Sequence, residues 1–469
     1  MRTARLGRLH RAVAAGARKE GRHASIVGSS GVAVNAAGRS AGGLVRSRHA
    51  AGVGDVSEQE KLVPLVKRAA GAPPPRVLRE GDAASPKPIY AVWELTLKCD
   101  QPCQHCGSRA GHARTKELST KEVLDVARSL ADLGCREVAL IGGEAYLRTD
   151  LGEIVRFLTD AGIRVGLQTG GRALTRERAE MLKASGLHSL GVSIDGPARA
   201  HDKLRGNLGS HQAAMRALDA GREAGLIVTS NAQINRLNQD LLWEHVETLW
   251  EKGVVAWQVQ LTVPMGRAAD RPDWIIEPHR IVEVVDTLAA IQLEGLKRHQ
   301  GDGEPFNVFV GNNIGYYGPH ETTLRSRPGG KETYWEGCRA GQHLIGIESD
   351  GSIKGCPSLP SAPYIGGNVR DASLKEIWDS APEVRFARDR TTDELWGFCK
   401  SCYYADTCRA GCSWTAHCTL GRRGNNPFCY HRAKTLEKRG IRETLVLKER
   451  APNEPYDFGR FEIVEETLP

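Results

Sequence analysis

The sequence predicts an α/β fold, a partial (β/α)6 barrel of TIM type followed by a cysteine-rich C-terminal domain. Three observations carry that expectation. Strand-like runs alternate with amphipathic helical runs six times between about residues 89 and 263, the pattern of a parallel sheet with right-handed crossovers. Three of the 12 cysteines fall in one loop of that alternation, and six more crowd into residues 399–429. Before residue 85 the composition is of a different kind.

Charge separates the segments. The chain has 469 residues, 40% apolar and 26% charged, with a formal charge of +8. Residues 1–50 hold nine Arg and Lys19 against Glu20 alone, so this stretch carries +9 and leaves −1 for the rest. The basic charge would suit nucleic acid, but it belongs to the leader, so no nucleic-acid partner is expected of the body. Residues 1–85 are rich in Arg, Ala, Gly and Ser and nearly free of aromatics, which predicts a disordered basic leader. A targeting segment or an over-extended start are the alternatives. No window approaches about 18 uninterrupted apolar residues, so a cytoplasmic protein without a membrane partner is expected.

The elements follow in order. Ile89–Leu97 reads as the first strand. Ser119 and Glu122 form a capping box, after which Val123, Val126, Ala127, Leu130 and Leu133 recur at helical spacing up to Gly134. Further strands are read at 137–141, 164–169, 189–195, 227–234 and 254–263. Helices are read at 150–161, 176–185, near 211–224, near 239–252 and near 278–299. The domains expected are a barrel over 86–300, a connector over 301–334, a cluster-binding region over 335–440 and a tail over 441–469. Functional loops in such barrels follow the carboxyl ends of the strands, and every motif below falls there.

Cys99, Cys103 and Cys106 are spaced C-x3-C-x2-C after the first strand. Three thiolates can hold three irons of a 4Fe–4S cube and leave the fourth open to a ligand. Such close spacing argues against disulfides. Cys135, alone in a helical pattern, reads as a small core residue. On the three-cysteine loop the chain resembles the radical S-adenosylmethionine (SAM) superfamily. That resemblance implies SAM and a SAM-binding 4Fe–4S cluster as cofactors, with reductive cleavage of SAM to a 5′-deoxyadenosyl radical. It also implies SAM contacts from Gly142, Gly143 and Glu144 after strand two, and from Ser193 and Arg205 around the SIDG turn at Asp195. The residue before the last cysteine is usually aromatic in that family; here it is His105, an imidazole that can still pack on adenine. No catalytic acid or base is assigned, and His201 reads as structural.

The later cysteines run Cys338-x12-Gly351-x4-Cys356, then Cys399-x2-Cys402-x5-Cys408-x3-Cys412, then Cys429. Zinc ribbons are one reading of C-x2-C knuckles. The whole pattern resembles the seven-cysteine SPASM extension of radical SAM enzymes. That implies one or two auxiliary iron–sulfur clusters, with Cys399, Cys402, Cys408 and Cys429 on one and Cys338, Cys356 and Cys412 on the other. An eighth ligand is missing; Cys418 is the spare thiol, and an open or non-cysteine site is the preferred reading. Sulfatase maturases carry Asp after the second cysteine of this pattern, whereas Pro357 stands here. Trp378, Trp396, Phe398, Tyr403, Tyr404 and Trp414 would line a peptide groove or pack around the clusters.

The function expected is hydrogen-atom abstraction from a peptide or protein substrate, as in a ribosomal peptide maturase. The expected partners are a flavodoxin- or ferredoxin-type reductant and a separate leader-peptide-binding protein. The alternatives are a maturase of a small-molecule cofactor or of sulfatase type, and, from another class, a zinc-ribbon nucleic-acid-binding protein.

Overall fold

Six parallel strands run in chain order: β1 (Tyr90–Glu94), β2 (Glu137–Ile141), β3 (Arg164–Thr169), β4 (Ser189–Ser193), β5 (Ile227–Ile234) and β6 (Ala256–Leu261). The computed structural model describes residues 85–299, 305–328 and 330–468, together with 76, 78, 79, 81 and 82. The expected leader otherwise lies outside the described residues. Between the strands lie α1 (Thr120–Asp132), α2 (Leu151–Asp160), α3 (Arg176–Ala184), α4 (Ala198–Arg205), α5 (Ser210–Glu223) and α6 (Leu242–Glu251), and α7 (Ile281–Arg298) follows β6.

The local chemistry accounts for these elements. At α1 the Ser119 side chain accepts from the Glu122 N–H, and Glu122 accepts from the Ser119 N–H at 2.8 Å, which satisfies two donors that a helix start leaves open. Gly134 then takes a φ of +80° to end the first helical unit. Its buried stripe of Val123, Val126, Ala127 and Leu130 packs against β-strand residues such as Trp93 and Leu140. Cys135 joins that core at 6% exposure, as expected.

The sheet continues beyond the sixth strand. The connector contains β7 (Asn307–Val310), which pairs in parallel with β6, and a short α8 (Glu321–Arg325). Across the other edge, β8 (Leu344–Ile347) pairs in parallel with β1 and leads into antiparallel β9 (Ser352–Lys354) and β10 (Gly367–Asn368). The ten strands are ordered β10-β9-β8-β1-β2-β3-β4-β5-β6-β7. Four residues of Asn-Val-Phe-Val amid Gly and Asn are too short a run to read as a strand from periodicity. Helix α4 was also unread, because its eight residues carry only a short buried stripe.

The cysteine-rich region adds α9 (Leu374–Ser380), α10 (Pro382–Asp389), α11 (Ala405–Cys408), α12 (Ser413–Leu420) and α13 (Tyr430–Glu437). The expected tail holds an antiparallel hairpin of β11 (Ile441–Glu449) and β12 (Arg460–Thr467). No helix among the described residues is long and apolar enough to cross a membrane.

Candidate functional site

The chain leaves β1 through Thr96–Lys98 and enters the loop of Cys99, Cys103 and Cys106. Gly142 and Gly143, at the end of β2, press their backbone against this exit. A Cβ on Gly142 would stand 2.5 Å from Thr96 O, and one on Gly143 would stand 2.3 Å from Lys98 O. The N–H groups of Gly143 and Glu144 donate to Thr96 O and Lys98 O at 2.7 and 2.8 Å. Only residues without a side chain permit that approach. The glycines therefore fix the loop, and the Glu144 side chain turns inward.

Glu144 is 3% exposed; its carboxylate accepts from Thr169 Oγ1 at 2.5 Å and from the Gly170 N–H at 2.7 Å. Burial raises its carboxyl to about 7. Oxygens of Glu144 and Asp100 and the Cys99 sulfur lie within 4.8 Å of one another. Gly170 makes room for Gln101, whose amide nitrogen would stand 2.1 Å from a Cβ there.

The other end of the loop rests on α4 and β4. Arg205 donates to Cys103 Sγ at 3.6 Å and pairs with Asp195 at 2.7 Å. His105 meets Leu204 O through Nδ1 at 3.0 Å and Asp195 through Nε2 at 3.3 Å. It is 2% exposed, so the ring braces α4 against β4; it is not a free face for adenine, contrary to the sequence expectation. Burial alone would raise the Asp195 carboxyl, but Arg205 and His105 beside it hold it well below the usual range. His201 is structural, as read: Nδ1 accepts from the Asp195 N–H at 3.1 Å and Nε2 faces Ser210 Oγ at 3.2 Å. Ser193 stands half-buried at the end of β4, opposite Asn231 of β5.

Besides Asp195 Oδ2, which has only its ion pairs, three buried polar atoms here have no hydrogen-bond partner: Asp100 Oδ1, Gln101 Nε2 and Arg205 Nε. Buried groups are rarely left so, and together they offer an acceptor and two donors beside the three thiols. That set fits an amino acid's ammonium and carboxylate. Asp100, Gln101, Thr169 and Gly170 were missed in the sequence; only the Gly170-Gly171 pair after β3 hinted at a close approach.

The C-terminal thiols separate into two groups. Cys399, Cys402, Cys408 and Cys429 line one pocket, with Tyr316, Phe398 and Tyr404 on its walls. Cys338 and Cys356 pack beside Tyr364, Phe386 and Trp414. The Cys356 thiol is pushed up to about 12 by burial and by Cys338 and Cys412 beside it. Cys412 immediately precedes α12. Cys418, fully buried, sits in a separate apolar cluster with Val263, Met265 and Tyr456. The positive charge of a bound metal is what would let the Cys356 thiol lose its proton. Among the described residues no three cysteine sulfurs converge within 4.8 Å, as one tetrahedral zinc with bonds of about 2.3 Å requires. Of the aromatics, Phe398 and Tyr404 line the first thiol group and Trp414 packs beside the second; Trp378 lies in the barrel core, Trp396 meets Arg423 O and Arg422, and Tyr403 is 88% exposed.

Residues 93–249 match the radical SAM superfamily, and residues 338–403 match SPASM, an iron–sulfur cluster-binding domain. An AdoMet-dependent heme synthase of Methanosarcina barkeri is 31% identical over 348 residues, 74% of this chain and 97% of that protein. The chain belongs to the radical SAM superfamily. It is an enzyme of that superfamily with a SPASM domain, and its cofactors are SAM and iron–sulfur clusters. The mycofactocin maturase MftC of Mycolicibacterium smegmatis is 28% identical over 390 residues, 79% of this chain and 90% of that protein. Among solved structures, anSMEcpe with bound AdoMet aligns at a TM-score of 0.59 and 17% identity, covering 74% of this chain and 95% of that one. Streptococcus suis SuiB bound to S-adenosylmethionine aligns at 0.55 and 16%, covering 73% and 76%. These two likenesses support the α/β barrel fold expected from the strand–helix alternation.

Proposed function

We propose that the chain modifies a peptide or protein substrate by hydrogen-atom abstraction, with its SAM-binding 4Fe–4S cluster on Cys99, Cys103 and Cys106. Bound there, that cluster supplies the electron for reductive cleavage of SAM to methionine and a 5′-deoxyadenosyl radical. The observation that carries the reading is the matched set of open groups at the loop. Asp100 and Glu144 face where an ammonium is held, and Arg205 and Gln101 supply donors for a carboxylate. Gly142 and Gly143 hold the loop at the distance that brings these groups together, and by the family resemblance we assign Ser193, at the end of β4, to the SAM ribose.

The barrel's inner face supports a peptide. On β3, β5 and β6 the buried residues Leu167, Ala232 and Val259 face the helices, so by strand alternation Gln168, Asn231, Gln233, Gln258 and Gln260 face the lumen. Asn231 donates to Gln168 across Gly191, where any Cβ would overlap the Gln168 amide. A wall of side-chain amides suits the donors and acceptors of a peptide backbone. We assign Cys399, Cys402, Cys408 and Cys429 to one auxiliary cluster and Cys338, Cys356 and Cys412 to a second. A flavodoxin- or ferredoxin-type reductant and a separate leader-binding protein complete the scheme.

A tetrapyrrole is the second reading, favoured by the 31% identity to a heme synthase. Anaerobically reconstituted protein with dithionite should release 5′-deoxyadenosine from SAM, and the triple change of Cys99, Cys103 and Cys106 to Ala should abolish this. Turnover that survives the triple change overturns the assignment. A candidate precursor peptide and Fe-coproporphyrin III then serve as rival substrates, read by mass spectrometry and by porphyrin absorbance. Conversion of the porphyrin alone would replace the peptide reading with the second.

A further inference from the structure

We propose that Tyr146 is a positioning residue for SAM. Its phenol holds the Asp100 carboxylate so that the second carboxylate oxygen accepts from the amino group of the methionine end. The assignment rests on the reading of the SAM site given above.

The two carboxylates of that site differ in what they have left to offer. Both Glu144 oxygens are engaged by fixed donors, Oε2 by Thr169 Oγ1 at 2.5 Å and Oε1 by the Gly170 N–H at 2.7 Å. Asp100 has one engaged oxygen. Its Oδ2 accepts from the Tyr146 phenol at 2.9 Å, whereas Oδ1 is buried without a partner. An oxygen of each carboxylate and Cys99 Sγ lie within 4.8 Å of one another. An amino group placed there meets both residues, and Asp100 brings the acceptor that nothing else uses.

Tyr146 lies in the short turn Ala145–Leu147 directly after Glu144 and is 4% exposed. Its oxygen accepts from the Ala173 N–H at 3.3 Å, so the phenol's own proton goes to Asp100. The Arg178 guanidinium lies over the ring, 5.0 Å from its centroid. Arg172, in the same turn between β3 and α3, donates to the Asp100 carbonyl oxygen. Backbone and carboxylate of Asp100 are thus gripped from one turn, which leaves the side chain little freedom to turn Oδ1 away. A buried carboxylate oxygen without a donor is unfavourable, and the N–H groups of a bound amino group relieve it.

The test is equilibrium dialysis of SAM against the anaerobically reconstituted full-length enzyme, with iron counted. The second ligand is S-adenosyl-4-methylthio-2-oxobutanoate, which keeps the carboxylate and has a carbonyl in place of the amino group. Tyr146→Phe should bind SAM about tenfold more weakly, the size of one hydrogen bond to a charged group, and the keto analogue no more weakly than the parent does. Asp100→Asn should weaken SAM at least as much and again spare the keto analogue. The double variant should lose no more than Asp100→Asn alone, because Tyr146 acts through Asp100. In turnover the loss should fall on the KM for SAM. Unchanged SAM affinity in Tyr146→Phe, an equal loss for the keto analogue, or losses that add in the double variant overturn the proposal. If Tyr146→Phe loses the loop's iron, Asp100→Asn with the two ligands decides. A parent enzyme whose three-cysteine loop holds its iron but binds no SAM overturns the functional reading itself, and this assignment with it.

Discussion

The Arg205 guanidinium lies 2.7 Å from Asp195 Oδ2, with both side chains nearly closed to solvent. The same guanidinium reaches Cys103 Sγ, so the pair couples the SIDG turn to the cysteine loop. Removing one member leaves the other charged and buried, which typically costs about 3–5 kcal/mol. Asp195→Ala should lose stability in that range by urea denaturation, since Gln233 N and His105 lose their acceptor too. Asp195→Asn keeps an oxygen for these donors but leaves Arg205 equally unpaired, so it should lose nearly as much. A clearly smaller loss in Asp195→Asn would show that the hydrogen bonds, and not the charge, are what matters.

Gly143→Ala should cost the enzyme its SAM cleavage. The new Cβ would stand 2.3 Å from Lys98 O and 2.7 Å from Leu97 O, backbone atoms that cannot swing away as a flexible side chain can. The exit from β1 must shift, carrying Cys99 with it. The expected result is loss of SAM cleavage and of the loop's iron, while the auxiliary iron stays. Gly111→Ala is the control, because nothing lies within 4 Å of its Cβ and it should cleave SAM at nearly the parent rate.

The sequence revealed the parts of the fold that follow from local periodicity and capping. The boundaries of β2, β3 and β5 agree residue for residue with the runs EVALI, RVGLQT and IVTSNAQI. The pairing of β8 with β1 was hidden, because nothing in LIGI says which distant strand it will join. The thiols were legible because their spacing is itself the signal. Asp100 and Gln101 were not, because an orphaned buried atom exists only once Gly170 and Glu144 have been folded beside it. His105 was judged by its place in a motif, and its actual role depends on Leu204 and Asp195, about a hundred residues away.

The C-terminal hairpin should matter to the SAM-binding loop, although it lies outside every motif. Its tip carries Asp457, which accepts from Arg109 at 2.7 Å and from the N–H groups of Asn453 and Glu454. Beside it Tyr456 donates its phenol to Glu94 at the end of β1. Asn453 and Tyr456 adopt φ of 74° and 59°, backbone strain that side-chain residues tolerate only when the surroundings enforce it. Tyr456→Phe leaves a buried Glu94 oxygen without that donor and should cost about 1–3 kcal/mol. Asp457→Ala should destabilise the cysteine loop, read as faster loss of its iron to a chelator. Unchanged chelation kinetics would mean that the hairpin only covers the surface.

Stability should fall with acid below about pH 6.5 because two buried histidines and one half-buried one resist protonation. Burial pushes His201 down to about 2, and His245 and His417 down to about 4. The unfolded chain takes up protons at its ordinary histidine value of about 6.5, whereas the folded chain does not. Between the two values the unfolded state binds more protons, so stability is full above about pH 6.5 and is lost as the pH falls. The slope approaches about 1.4 kcal/mol per pH unit for each histidine. His245 isolates the effect: both its ring nitrogens are buried without partners, and its ring lies edge-on to Trp257. His245→Phe keeps a ring in that place and removes the titrating group. Urea denaturation at pH 7.5, 6.5 and 5.5 should show a shallower acid loss for this variant and no penalty at pH 7.5. A parallel loss in parent and variant would place the acid sensitivity elsewhere.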